Sequence, residues 1–146
     1  MREILPQLLW IGNARAARDV TGVLDRGITA VVDLALEEPP ISYPRDIVYC
    51  RLPILDGEDN QPAVLQTALL TVARFIQGDI PTLVACSGGM SRSPAVVAGA
   101  LSLVKACPFA EALRQVAATG PCDVAPGLWN EIQHLLEQGG AESYSG

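Results

Sequence analysis

Seven consecutive residues, Ile28-Thr29-Ala30-Val31-Val32-Asp33-Leu34, are apolar and β-branched almost throughout. A strand with one face in water alternates apolar and polar residues; this one does not, so it has to be covered on both faces. In a chain of 146 residues that requirement demands helices above and below one sheet, and the remaining sequence supplies them. Residues 7–12 form a short apolar stretch, expected as an edge strand. Residues 14–26 carry Ala16, Val20, Val23 and Leu24 at helical spacing, and Gly27 closes them as a helix C-cap does. Residues 37–44 hold three prolines and read as loop, 46–54 as strand, and 56–61 as polar loop. Pro62 opens a helix whose face Leu65, Leu69, Val72, Ile76 makes a buried stripe, ended by Gly78. A strand over 81–86, a loop over 87–92 and a nearly all-apolar helix over 93–106 follow. Helices over 108–119 and 126–138 complete the chain. This alternation predicts an α/β fold: a single-domain three-layer sandwich with a mainly parallel sheet flanked by helices. One domain is expected over 1–146, with 139–146 frayed.

Composition narrows the function. The apolar set makes up 49% of residues, which excludes disorder. A domain this long buries about 70% of its unfolded surface, so it requires no disulfide or metal staple. Ten Lys+Arg against sixteen Asp+Glu leave −6, and Lys105 is the single lysine. No basic cluster exists to displace counterions, so no nucleic-acid partner is expected. Any anion site must be local, built from one or two arginines and backbone N–H groups. No run approaches the ~18 apolar residues of a membrane span, and Met1–Pro6 lacks a signal-peptide core. The chain is therefore expected to be cytoplasmic, monomeric and off the membrane. Cys50, Cys86, Cys107 and Cys122 form no C-x-x-C pair, and His134 is the lone histidine, so no metal site is expected. Cys50, Cys107 and Cys122 read as packing thiols, and Trp10 and Trp129 as core aromatics.

Ligands of open α/β sheets bind beyond the carboxyl ends of strands, where a strand feeds a helix N-terminus. The junction Val84-Ala85-Cys86-Ser87-Gly88-Gly89-Met90-Ser91-Arg92-Ser93-Pro94 has that form. It sets a cysteine at the strand end and an arginine six positions later at the helix start. The glycines and serines between are small enough for backbone N–H groups to converge on an anion. Converging dipoles, the helix N-terminus and Arg92 favour negative charge at one point, which suits an ionised thiol beneath a tetrahedral oxyanion. A thiolate so placed is a nucleophile for phosphoryl transfer. The spacing alone is weak evidence, since cysteine and arginine fall six apart by chance and Cys86 could be an ordinary strand-end thiol. The strand before, the small residues within and the helix after make it specific.

The stretch C-S-G-G-M-S-R-S-P resembles the signature loop of the dual-specificity phosphatases, within the protein tyrosine phosphatase superfamily. Residues 4–12 look like that family's opening strand, 27–34 like its second, and Pro126-Gly127-Leu128-Trp129-Asn130 like the turn into its last helix. The similarity spans about residues 4–138. It implies Cys86 as nucleophile through a phosphocysteine, and Arg92 with the backbone of Ser87, Gly88, Gly89, Met90 and Ser91 as phosphate cradle. It also implies Ser93 as hydrogen-bond donor to the departing thiolate, and no cofactor or metal. Asp56, 30 residues before Cys86 and just after Leu52-Pro53-Ile54, stands where the family keeps its general acid. The same loop also offers Glu58 and Asp59. Two departures stand out: Ala85 replaces the family's usual histidine, and Ala98-Gly99-Ala100-Leu101-Ser102 lacks its tyrosine. The resemblance implies phosphotyrosine, and phosphoserine or phosphothreonine, on protein, or a small aryl phosphate. The loop has no lysine of the kind that lipid and polyphosphate phosphatases use. Two other readings stay open: a low-turnover phosphate-binding or scaffolding domain on this fold, and a related oxyanion reaction such as arsenate reduction.

Overall fold

In the computed structural model, which describes residues 1–138, five strands form one sheet in the order β1-β2-β5-β3-β4. The strands are β1 (Arg2–Leu5), β2 (Leu9–Gly12), β3 (Ala30–Ala35), β4 (Val48–Ile54) and β5 (Thr82–Ala85). The pairs β2–β5, β5–β3 and β3–β4 are parallel; β1 alone runs antiparallel, along β2. Side chains alternate across the pleat. Ile11, Val32 and Val84 enter the larger apolar core, while Trp10, Val31 and Leu83 enter a smaller one. Helices α3 (Pro62–Gln77), α4 (Arg92–Lys105), α5 (Phe109–Ala117) and α6 (Pro126–Gln138) cover the first face. Helices α1 (Ala14–Arg18) and α2 (Val20–Asp25) contribute Ala17 and Val23 to the second. The three-layer, mainly parallel architecture expected from the sequence is the one observed.

Two local expectations are corrected. Residues 9–12 form an interior strand rather than an edge, because the polar Arg2-Glu3 segment pairs with them as β1. The helix expected over 14–26 is two helices. Asp19 accepts from Gly22 N at 3.1 Å and caps α2, while its own N–H bonds back to Arg15 and Ala16. A short acceptor that competes for backbone N–H groups breaks a helix where it sits. The expected fraying of 139–146 lies outside the described residues.

The central helix owes its place to one glycine. A Cβ on Gly99 would sit 2.5 Å from Leu69 Cδ2 and 3.2 Å from Ile132 Cγ2, so its absence lets α4 approach α3 and α6 closely. Helix α4 is buried from Arg92 through Ser102. Its first turn is thereby fixed at the carboxyl edge of the sheet.

Candidate active site

Four parallel strands end on that edge, and each delivers something to one place. Strand β5 ends at Ala85, and Cys86, 2% exposed, follows it. The loop then turns back on itself: Gly89 N–H donates to Cys86 Sγ at 3.2 Å. Gly89 has φ +73, and a Cβ there would lie 3.2 Å from the backbone of Gly12 and Asn13 at the end of β2. Only glycine meets both demands. Cys86 N–H and Ala14 N–H bond across the same junction, to Gly12 O and Ser87 O.

Arg92 opens α4 and is 4% exposed. Its Nη1 donates to Glu37 Oε1 at 2.8 Å and to Ile54 O at 3.2 Å, and its Nη2 donates to Glu37 Oε2 at 3.2 Å. A guanidinium has five N–H groups. These three bonds leave Nε–H and the second Nη2–H, which lie side by side on one edge and match two oxygens of a tetrahedral anion. The Arg92 guanidinium, followed by Glu37's own backbone and then the Ser87 hydroxyl, pulls Glu37 down from its ordinary 4.5 to about 2, against a desolvation that raises it. The Ser87 hydroxyl lies 2.8 Å from Glu37 Oε1 and 3.2 Å from Glu38 Oε2.

Glu37 is itself held in place. The loop after β3 is pinned by Tyr49, whose hydroxyl donates to buried Asp33 Oδ2 at 2.6 Å and accepts from Ile41 N at 3.1 Å. The Tyr43 hydroxyl donates to Ala17 O at 2.5 Å. Burial together with the Asp33 carboxylate raises the Tyr49 hydroxyl above its ordinary range. Both tyrosines stay protonated as donors.

Strand β4 delivers Asp56. Asp56 Oδ1 accepts from Ser91 Oγ at 2.5 Å, and Oδ2 has no hydrogen-bond partner among the described residues. Ser91 Oγ also accepts from Ala125 N at 2.9 Å, joining the acid loop, the anion loop and the α5–α6 connection. Asp56, Cys86, Gly88, Met90, Ser91, Arg92 and Asp123 line one cavity of about 190 Å³. At about 30 Å³ per water, that admits an oxyanion together with part of the group it is bound to. Asp59 lines a different concavity, and its N–H donates to Glu131 Oε2 at 2.7 Å. Ser93 is fully buried one position after Arg92, and its Oγ has no hydrogen-bond partner among the described residues.

The structure therefore brings together Cys86, Arg92, Asp56 and the loop between Ser87 and Ser91, while Asp59 stands apart. Burial raises the Cys50 thiol, as suits a packing residue. Cys122 accepts from Arg2 Nη2 at 3.3 Å. Trp10 is 5% exposed in the core, and Trp129 is half-buried with its ring 5.4 Å from Phe109. Sequence reasoning missed Glu37, Asp123 and Glu131. A signal existed for the first: Glu37 directly follows a buried strand on the edge where such sheets bind ligands.

Comparison with known proteins bears on this geometry. No protein-family model matches the chain. It is 31% identical over 146 residues to mouse dual specificity protein phosphatase 13B, covering 92% of this chain and 72% of that protein. It is 27% identical over 137 residues to human dual specificity phosphatase 28, covering 92% and 77%. The crystal structure of human DUSP28 superposes with a TM-score of 0.82 at 25% identity, covering 94% of this chain and 96% of that one.

Proposed function

Because the chain belongs to the dual-specificity phosphatase family, we propose that its cysteine-dependent phosphatase chemistry runs through a phosphocysteine at Cys86. The protein is a cysteine-dependent phosphatase. A phosphomonoester enters the cavity with two oxygens on the Nε–H/Nη2–H edge of Arg92. The Cys86 thiolate forms a sulfur–phosphorus bond as the phosphorus–oxygen bond to the leaving group breaks. Asp56 gives its proton to the departing oxygen through Oδ2, the oxygen that Ser91 leaves unengaged. Asp56, now ionised, takes a proton from a water that attacks the phosphocysteine. The sulfur–phosphorus bond breaks, inorganic phosphate leaves, and the thiolate returns. The buried Ser93 hydroxyl is available to donate to that thiolate as it departs. Phosphorylated protein is the substrate class that the family implies. No helix among the described residues is long and apolar enough to cross a membrane.

The observation that carries this reading is the single cavity shared by Cys86, Arg92 and Asp56. The loops after β4 and β5, the start of α4 and the α5–α6 connection form its walls. Hydrolysis of an aryl phosphate, followed with and without EDTA, tests it. Turnover is expected to persist under chelation and to vanish in Cys86→Ser, which keeps oxyanion affinity through the intact cradle. Loss of turnover in EDTA, or a Cys86→Ser variant that retains most of it, overturns the mechanism.

A further inference from the structure

Asp123 lies on the connection between α5 and α6 and lines the same cavity as Cys86 and Arg92. Its placement is enforced by backbone contacts. Asp123 N–H donates to Met90 O at 2.8 Å and Ala125 N–H donates to Ser91 Oγ at 2.9 Å, so this segment is clamped to the anion loop on both sides. Yet the Asp123 carboxylate, which is exposed, has no hydrogen bond or ion pair with the described residues. It takes no part in the chemistry above.

A charge count over the cavity shows what such a carboxylate demands. The positive charge of Arg92 is already matched by both oxygens of Glu37. Asp56 enters the first step protonated if it is to act as an acid. A phosphomonoester dianion then adds two negative charges beside Asp123, with no free cation lining the cavity among the described residues. None of the neighbouring arginines lines this cavity. Arg2 donates to Pro121 O and Cys122 Sγ, Arg114 lines the adjoining groove, Arg51 donates to the carbonyls of Leu36 and Glu38, and Arg18 faces Glu38 at 3.7 Å. Inside the cavity, a positive charge beside Asp123 is one that a substrate can bring.

We propose that Asp123 is a specificity residue that selects phosphoprotein segments with a lysine or arginine beside the phosphorylated residue. The proposal rests on the phosphatase reading and names its substrate class. The cation pairs with Asp123 while the phosphate sits on Arg92, and the two charges of opposite sign are thereby read together. Continuity supports a peptide occupant. Asp123 is also part of the wall of a groove of about 450 Å³ lined by Leu113, Arg114, Val124 and Trp129, which offers the neighbouring residues of a peptide a surface beyond the cavity.

The test uses matched phosphotyrosine peptides that differ in one residue, lysine, glutamine or glutamate, at each of the two positions flanking the phosphotyrosine. The wild type is expected to show a kcat/KM about fivefold higher for a lysine peptide than for its glutamine twin, the upper range of an exposed ion pair, and to lose that preference in high salt. In Asp123→Asn the preference falls to about one, while kcat/KM on an aryl phosphate rises about twofold because a carboxylate that repels the dianion has gone. Structural damage would lower both. Asp123→Lys should favour the glutamate peptide instead. No lysine preference in the wild type, or one that survives Asp123→Asn, overturns the proposal. Peptide binding to Cys86→Ser, read by fluorescence anisotropy, carries the same comparison without turnover. If the wild type hydrolyses no aryl phosphate, the phosphatase reading falls, and the anisotropy series still decides the role of Asp123.

Discussion

Glu37 holds Arg92 with both carboxylate oxygens, and that arrangement carries a pH signature of its own. The pair is half in solvent, with the Glu37 side chain 56% exposed, so its direct worth to stability is modest. Its geometric worth is larger, since it decides which edge of the guanidinium faces the anion. Glu37→Gln leaves one acceptor oxygen where there were two. The variant is expected to lose about tenfold in kcat/KM on an aryl phosphate, the order of one charge-assisted hydrogen bond. Its acid stability should change as well. Glu37 titrates at about 2 in the folded protein and near its ordinary 4.5 when unfolded. The ionised form therefore stabilises the fold above about 4.5, and that contribution is lost as pH falls toward 2. Urea midpoints of the two proteins should differ most near neutral pH and converge between about 4.5 and 2. A constant gap across that window would show that Glu37 is not ionised against Arg92.

At the scale of elements, the loop after β4 chooses between two aspartates three positions apart. Asn60 closes this loop on itself: its Oδ1 accepts from Leu55 N at 2.7 Å, and its Nδ2 donates to Gly57 O at 3.1 Å. Glu131 of α6 then takes the N–H of Asp59, at 2.7 Å, and the Nδ2 of Asn60, at 3.0 Å. The loop is locked with Asp56 over the cavity and Asp59 away from it. A general acid matters most for a poor leaving group. Asp56→Asn is expected to lose ~10²-fold or more on a phosphoserine peptide and less on an activated aryl ester. Asp59→Asn should stay within a few-fold of wild type on both. A crippled Asp59→Asn would mean that the loop rearranges when substrate binds. Much of this was legible in the sequence, for a physical reason. The strands and the large helices are written in local periodicity, and Cys86 through Arg92 is contiguous, so its spacing reports its geometry. Glu37, Glu131 and Asp123 were not legible because each acts across 33 or more residues of sequence, through a partner that only the fold brings near. Strand β1 escaped notice because four residues beginning Arg2-Glu3 carry no apolar pattern to read.

Across the whole molecule, the core does not stop short of the chemistry but runs into it. Helix α4 is buried between the sheet and three other helices along most of its length, and its first residue, Arg92, lines the cavity. A rigid central helix keeps the cavity's geometry without a loop having to find it, which is what a preorganised anion site needs. The arrangement has a cost at Ser93, whose hydroxyl is sealed from solvent with no hydrogen-bond partner among the described residues. A buried, unsatisfied polar group costs on the order of 1–3 kcal/mol. Ser93→Ala is therefore expected to stabilise the fold by about 1 kcal/mol, since alanine fits the space and leaves nothing unpaired. The expected rise in melting temperature is about 3 °C. If the hydroxyl serves the departing thiolate, the same variant should slow the second chemical step. Phenol release from an aryl phosphate would then show a burst followed by a steady rate roughly tenfold below wild type. Stability and turnover would thus move in opposite directions from the loss of one oxygen atom. A variant that is less stable than wild type and shows no burst would mean that the hydroxyl is satisfied within the fold and has no part in releasing Cys86.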